Sequence, residues 1–255
     1  MTDNQSESGR LPWYEDEQFW KVFAPYLFDD YHWDIADLEA KQSAALLRLT
    51  VPAAVLDTCC GVGRHSLALA GQGYTVTGVD RTSAYIEAAK GSASAHNYPI
   101  EFVQTDMRSF SRPAAFDGAI NLFTSFGYFE DEKDELVFLG NIRDSLKPGA
   151  GLVIDLLGKE VLARTFRERD WHEEDGAMIL QERRILGSWS KIENRWIVIK
   201  DGEKNEYVFS HRLYSADELI QLVLKAGFGR AEAFGSLTGV PYNHTSERLV
   251  VTAWK

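Results

Sequence analysis

The stretch Val55-Leu56-Asp57-Thr58-Cys59-Cys60-Gly61-Val62-Gly63-Arg64-His65-Ser66 sets an acid, two glycines and the start of a predicted helix in a row. Glycines let a backbone pass close to a ligand, and a helix N-terminus offers unpaired N–H groups. Alone, the glycine pair also fits a plain tight turn between a strand and a helix. Two nucleotide readings fail on inspection. A dinucleotide fingerprint wants a third glycine where Ser66 stands, and a phosphate-binding P-loop wants a Gly-Lys-Ser or Gly-Lys-Thr that is missing. A second predicted strand ends in another acid, Asp80. A carboxylate there can accept hydrogen bonds from both ribose hydroxyls and repels a 2′-phosphate. The expected ligand is an unphosphorylated nucleoside with a cationic portion.

Those residues need a scaffold, and the sequence supplies an alternating one. Residues 1–11 read as a polar tail. A helical cap follows over 12–50: Trp13, Tyr14, Phe19, Trp20, Phe23, Tyr26 and Phe28 recur at spacings that gather on one helical face, and a second helix is predicted over 34–49. Over 51–158, short apolar runs at 53–57, 75–80, 101–105, 116–123 and 151–156 are separated by helical stretches at 63–70, 84–95 and 131–146. Parallel strands need such crossovers, so this core reads as a doubly wound α/β sheet. Residues 159–214 form an insertion whose alternating, β-branched and aromatic pattern over 177–214 predicts antiparallel strands, with Asp201-Gly202 as a hairpin turn. Over 215–255, Ser215 to Glu218 is a capping-box sequence opening a helix that stops at Gly227, and strands at 230–235 and 249–254 bring the sheet to seven.

Composition narrows the partners. In 255 residues, 38 Asp and Glu against 27 Lys and Arg give a formal net charge of −11, which disfavours phosphate backbones. Arg183, Arg184, Lys191, Arg195 and Lys200 do cluster in the insertion, where the alternative to an RNA groove is a solvated strand face. Cys59 and Cys60 are the only cysteines, and adjacent Cα atoms lie about 3.8 Å apart, too close for an ordinary disulfide. Cys60 reads as a packing residue rather than a reactive thiol. No run approaches the roughly 18 apolar residues of a membrane span, and the N-terminal residues carry no apolar leader. Together these argue for a cytoplasmic protein. The six histidines show no metal-ligand spacing, so no metal is expected.

At this point the chain resembles the class I S-adenosylmethionine-dependent methyltransferases, over residues 53–255. The likeness rests on Asp57-x-x-Cys60-Gly61-x-Gly63, Gly78-Val79-Asp80, Gln104-Thr105-Asp106-Met107, the segment 116–122 and Leu146-Lys147-Pro148-Gly149-Ala150-Gly151. Cys-Cys-Gly-x-Gly-Arg-His-Ser and the segment 121–129 look like a bacterial small-molecule methyltransferase-like group. The resemblance implies a Rossmann-like fold, S-adenosylmethionine as cofactor with S-adenosylhomocysteine as product, and a small-molecule substrate. It also implies roles. Asp57 would meet the methionine amino group, directly or through water, and Asn121 would offer it a backbone carbonyl. Cys59, Gly61, Gly63 and His65 belong to the cofactor loop. Asp80, followed by Arg81, would bind the ribose, and Asp106 the adenine amine with Met107 beside it. Tyr14 would close over the cofactor.

Methyl transfer from a sulfonium is an in-line displacement, so alignment and exclusion of water matter most, and a hydroxyl acceptor benefits from a general base. His244, on the loop between the last two strands, is the first candidate base. Tyr128 is placed by the resemblance near the reacting methyl group, and His211 either lines the substrate side or is solvated. The expected activity is methyl transfer to an N or O atom of a small molecule, by a monomer or homodimer. The alternatives are an RNA or protein methyltransferase and a non-catalytic S-adenosylmethionine-binding module.

Overall fold

The computed structural model describes residues 11–255, so the predicted polar tail lies, except for Leu11, outside the described residues. After a 3-10 turn at Trp13–Glu15, two helices form the cap: α1 (Glu17–Leu27) and α2 (Asp30–Leu46). Each starts at an aspartate. The Asp16 side chain accepts from the backbone N–H of Gln18 and Phe19, and Asp29 accepts from that of His32, satisfying donors the helix leaves orphaned. Asp29 is why the second helix begins four residues before the sequence estimate.

The core then alternates as expected: β1 (Ala54–Thr58), α3 (Arg64–Gly71), β2 (Thr75–Asp80), α4 (Ser83–His96), β3 (Glu101–Gln104), β4 (Phe116–Asn121), α5 (Glu132–Ser145) and β5 (Leu146–Leu156). The insertion holds α6 (Lys159–Thr165), β6 (Arg169–Glu174), β7 (Ala177–Leu186), β8 (Lys191–Lys200) and β9 (Glu203–Arg212). The chain closes with α7 (Ala216–Lys225), β10 (Arg230–Phe234) and β11 (Leu249–Trp254). The capping box is formed: Ser215 Oγ accepts from Glu218 N while the Glu218 carboxylate accepts from Ser215 N.

Seven strands make the main sheet in the order β10-β11-β5-β4-β1-β2-β3, with β11 antiparallel to both neighbours and β1 to β5 parallel. Successive strand residues face opposite layers. Leu56 packs with Phe138, Leu139, Ile142, Leu219 and Leu222 on the side of α5 and α7, whereas Val55 packs with Ala40, Leu47 and Leu69 on the side of α2 and α3. Each fully buried Leu or Ile contributes about 1.5–3 kcal/mol relative to exposure, so both layers are anchored by the same strand.

A second, four-stranded antiparallel sheet has the order β6-β7-β8-β9. Its turn at Asp201-Gly202 has both residues at positive φ, 51° and 81°, the geometry a two-residue hairpin demands. Phe19 and Phe23 of α1 pack on Ala177, Ile179, Val198 and Phe209 of its inner face. Two elements escaped the sequence reading, α6 and β6. The predicted helix over 131–146 ends one residue early, because Leu146 opens β5, which therefore starts well before the predicted residue 151. No described helix is long and apolar enough to cross a membrane.

Three of the five clustered basic residues of the insertion are ion-paired on a solvated face. Arg184 meets Glu193 at 2.8 Å, Arg195 meets Glu182 and Glu206 at 2.8 and 2.6 Å, and Lys191 meets Glu130 at 2.6 Å. With those charges compensated, this face makes a poor groove for RNA. Arg183, one residue from Arg184, turns to the other side of the sheet.

Candidate active site

Strands β1 and β4 adjoin at the centre of the main sheet, and their connections run to opposite faces. In open α/β sheets this switch point leaves a crevice beyond the carboxyl ends of the strands, where ligands bind. A cavity of about 430 Å³ lies there, lined by Cys59 to Gly61 after β1, Asp80 to Thr82 after β2, Thr105 to Met107 after β3 and Leu122 to Phe129 after β4. Trp13, Tyr14 and α1 cover it on one side, and the inner face of the antiparallel sheet supplies another wall through Arg183, Asn194, Trp196, Phe209 and His211.

The glycine turn is built as the sequence requires. Gly61 and Gly63 have φ of +56° and +82°, in the left-handed region that L side chains avoid. A Cβ on Gly63 would lie 2.9 Å from the Ala89 Cβ and 3.1 Å from the Phe102 Cζ. Gly63→Ala is therefore expected to cost about 2–4 kcal/mol of stability through backbone strain and overpacking, read by urea unfolding against wild type. Asp80, 9% exposed, holds the turn: one carboxylate oxygen accepts from Gly61 N at 2.9 Å and the other from Thr82 N at 2.8 Å. Burial pushes the Asp80 pKa up, and those backbone donors oppose it.

Other predicted residues reach the cavity with partners of their own. His65 Nε2 lies 2.7 Å from Glu39 Oε2, which also receives Arg64 Nη1 at 2.9 Å, so α2 grips the start of α3 beside the glycine turn. Sequence reasoning missed Glu39. Arg81 donates to the backbone oxygen of Tyr14 at 3.0 Å and pairs with Glu15 at 3.4 Å, pinning the Trp13–Glu15 turn over the cavity. Asp106 is chelated by Arg108, with Nη2 to Oδ2 at 2.7 Å and Nε to Oδ1 at 3.0 Å. Burial works against its charge, but the Arg108 hydrogen bonds outweigh it and hold the Asp106 carboxyl below the usual range. Cys59 and Met107 line the cavity as well. Burial, reinforced by Asp80 and Asp57, pushes both cysteine thiols well up, so Cys59 and Cys60 are neutral at physiological pH and make poor nucleophiles.

Four expected residues stand elsewhere. Asp57 is buried behind the turn, where it accepts from Ser66 Oγ at 2.6 Å and braces the start of α3. Gly63 packs against α4 and β3 behind the cavity. The Asn121 side chain donates to Thr58 Oγ1 at 3.0 Å, tying β4 to β1. His244 is exposed and off the cavity. Its loop folds on itself: Asn243 Oδ1 accepts from Thr245 N at 2.8 Å, Ser246 Oγ from Asn243 N at 2.9 Å, and Arg164 of α6 holds the Ser246 oxygen at 2.6 Å.

His211 takes the place expected of His244. It lies half-buried in the cavity wall, with its ring centroid 6.3 Å from that of Tyr128, which also lines the cavity. Its Nδ1 is 3.0 Å from the backbone oxygen of Arg212. A carbonyl only accepts, so Nδ1 carries the proton and the neutral ring keeps its lone pair on Nε2. Burial lowers the His211 pKa below 6.5, favouring that neutral form. Glu135 of α5 also lines the cavity: it is 0% exposed, one oxygen accepts from Phe129 N at 3.3 Å, and the other has no hydrogen-bond partner among the described residues. Burial pushes its pKa up to about 8.

Residues 55–149 match the family model for a methyltransferase domain. YqeM of Bacillus subtilis (strain 168), a provisionally named methyltransferase, is 25% identical over 207 residues, covering 79% of this chain and 83% of that protein. The fold matches an S-adenosylmethionine-dependent methyltransferase from Clostridium acetobutylicum with a TM-score of 0.76 at 13% identity, over 93% of this chain and 97% of that one. The sugar N-methyltransferase KedS8 of Streptoalloteichus sp. matches with a TM-score of 0.68 at 20% identity, over 100% and 98% of the two chains. Residues 55–149 thus carry a methyltransferase domain on a Rossmann-like fold, and the domain, the named relatives and the fold together support an S-adenosylmethionine-dependent methyltransferase enzyme with S-adenosylmethionine as its cofactor. The strand-end chemistry suits that group. Each Asp80 oxygen keeps a lone pair beyond its backbone hydrogen bond, and Asp80 stands at a glycine turn carrying no lysine for a phosphate.

Proposed function

We propose that this protein methylates an N or O atom of a small-molecule acceptor held between the strand ends and the inner face of the antiparallel sheet. The observation that carries this reading is the enclosure of the cavity. At about 430 Å³ it has the size of a small-molecule site, and α1, the Trp13–Glu15 turn and the second sheet wall it in. An RNA or protein chain would need an open groove. That KedS8 is a sugar N-methyltransferase is in keeping with a compact acceptor. In this reading the cap, core, insertion and closing segment, residues 12–255, work as one methyltransferase domain.

Asp80 accepts from the ribose hydroxyls, Met107 and Tyr14 flank the adenosine, and Asp106, steadied by Arg108, receives the adenine amine. Asp57 acts through the turn it braces, and Asn121 through the β4 end it fixes. The bound cofactor supplies an electrophilic methyl group on a sulfonium that leaves as a neutral thioether. The chain has to aim an acceptor lone pair along that bond and keep water out, which the aromatic walls of Trp13, Trp20, Tyr128 and Phe209 do. For a hydroxyl acceptor, His211 Nε2 takes the proton released as the new bond forms. His244 is too far into solvent to serve.

His211→Gln is expected to lower kcat about 100-fold while leaving S-adenosylhomocysteine affinity unchanged. The wild-type rate should rise with pH through the lowered His211 pKa, with its midpoint below 6.5, because only the neutral ring accepts a proton. Steady-state kinetics of both proteins across pH 5–8, with titration calorimetry for the cofactor product, tests this. An unchanged kcat with a hydroxyl acceptor would remove His211 as the base, and binding with no turnover on any acceptor would favour a non-catalytic module.

A further inference from the structure

The inner face of the antiparallel sheet is apolar along most of its length. Cross-strand pairing aligns Ile179 with Val198 and Ile185 with Ile192, and these pack into the hydrophobic clusters beneath the sheet. One row is polar on two adjacent strands. Arg183 of β7 stands directly opposite Asn194 of β8, which stands opposite Phe209 of β9, and His211 is one row further on, opposite Ile192. Arg183, Asn194 and His211 all open onto the cavity. Polar groups on a sheet's buried face are costly unless something pairs with them.

Four arginines line the cavity. Arg64 pairs with Glu39, Arg81 with Glu15 and Arg248 with Asp155, at 2.9, 3.4 and 2.8 Å. Arg183 has no carboxylate within ion-pair distance among the described residues. Its guanidinium donates to the backbone oxygen of Arg167 and to Gln181 Oε1, leaving the rest of its five N–H donors unused. No hydrogen bond to the Asn194 side-chain amide occurs among the described residues either, although Asn194 is buried. In a chain of net charge −11, this is a cation without an ion pair of its own on the cavity wall, with Asp170, opposite Gln181, as the acid whose charge reaches it.

We propose that Arg183 and Asn194 form an anchoring subsite for an anionic group on the acceptor, a carboxylate or a phosphate ester, and that this anchor sets the methyl-accepting atom beside His211. The inference rests on the small-molecule methyl-transfer reading and specifies its substrate class. A planar guanidinium with donors left over matches either anion, and the adjacent amide adds a neutral donor. Phe209 in the same row offers a ring face to the body of the acceptor.

The test is titration calorimetry of the whole protein, alone and saturated with S-adenosylhomocysteine, using phenyl phosphate, benzoate and uncharged benzyl alcohol as probes. Wild type is expected to bind at least one anion about tenfold or more tightly than the alcohol. R183Q should lose that preference while keeping its thermal stability and its S-adenosylhomocysteine affinity, and R183K should recover part of it. Phenyl phosphate binding above benzoate would assign a phosphate ester, and the reverse a carboxylate. Equal affinity of wild type for all three probes, including no measurable binding, would overturn the proposal, as would an anion preference that survives in R183Q. A protein that prefers the anions through Arg183 yet fails to bind S-adenosylhomocysteine would support the subsite and count against the methyl-transfer reading.

Discussion

Asp80→Ala is expected to weaken S-adenosylhomocysteine binding by about 100-fold or more. A carboxylate accepting from two ribose hydroxyls makes two charge-assisted hydrogen bonds, each contributing about 1.5–3 kcal/mol, and every 1.4 kcal/mol is a factor of ten. The substitution also releases Gly61 N and Thr82 N, so part of the loss would come from a loosened turn. Asp80→Asn disturbs the turn less. Its amide keeps the shape and one acceptor oxygen, sets an N–H group against only one of Gly61 N and Thr82 N, and lacks the charge that strengthens the ribose contacts. The asparagine variant should fold with a Tm near that of wild type and still bind at least tenfold more weakly. An affinity within twofold of wild type in either variant would refute the ribose role.

The second large effect is on stability. Glu135 is ordinarily a carboxyl titrating near 4.5, and in the fold it titrates at about 8 because burial disfavours its charged form. Below pH 4.5 both folded and unfolded chains hold the proton, and the group adds no pH dependence. From 4.5 to 8 the unfolded chain loses its proton while the folded one keeps it, so stability falls as pH rises through that window. The full loss is in place above pH 8. Glu135→Gln removes the titration and keeps an oxygen to accept from Phe129 N. Its advantage over wild type should grow from near zero at pH 4.5 to about 3–5 kcal/mol at pH 9. Urea unfolding of both proteins at the two pH values measures it, and a pH-independent difference would show that Glu135 is not held protonated.

The parallel core was legible because its signals agree: apolar runs, crossover helices and a glycine turn ending at an acid all point to one sheet. The missed elements lack such agreement. In β6, Arg169-Asp170-Trp171-His172-Glu173-Glu174 is charged at an edge and half-exposed or exposed throughout, so no burial pattern was written into it. Of the site residues, Glu135 was hidden among the acids that open α5, yet it sits three, four and seven residues before Phe138, Leu139 and Ile142, on the buried stripe. His211 was also within reach. A two-residue turn at Asp201-Gly202 pairs Lys200 with Glu203, and the same register sets His211 opposite Ile192 on the apolar face. His244 drew attention by lying near the end of the sheet. The hydrogen bonds that fold its loop back on itself involve Asn243, Thr245 and Ser246, whose side chains commonly bond their own backbone and so give no direction from sequence.

The most direct test is a crystal structure of the protein with S-adenosylhomocysteine. The account predicts the ribose hydroxyls on the Asp80 carboxylate, the adenine beside Asp106 and Met107, and the sulfur turned toward the space between Tyr128, His211 and Arg183. A ligand bound with its ribose away from Asp80, or with its sulfur facing away from the antiparallel sheet, would contradict it.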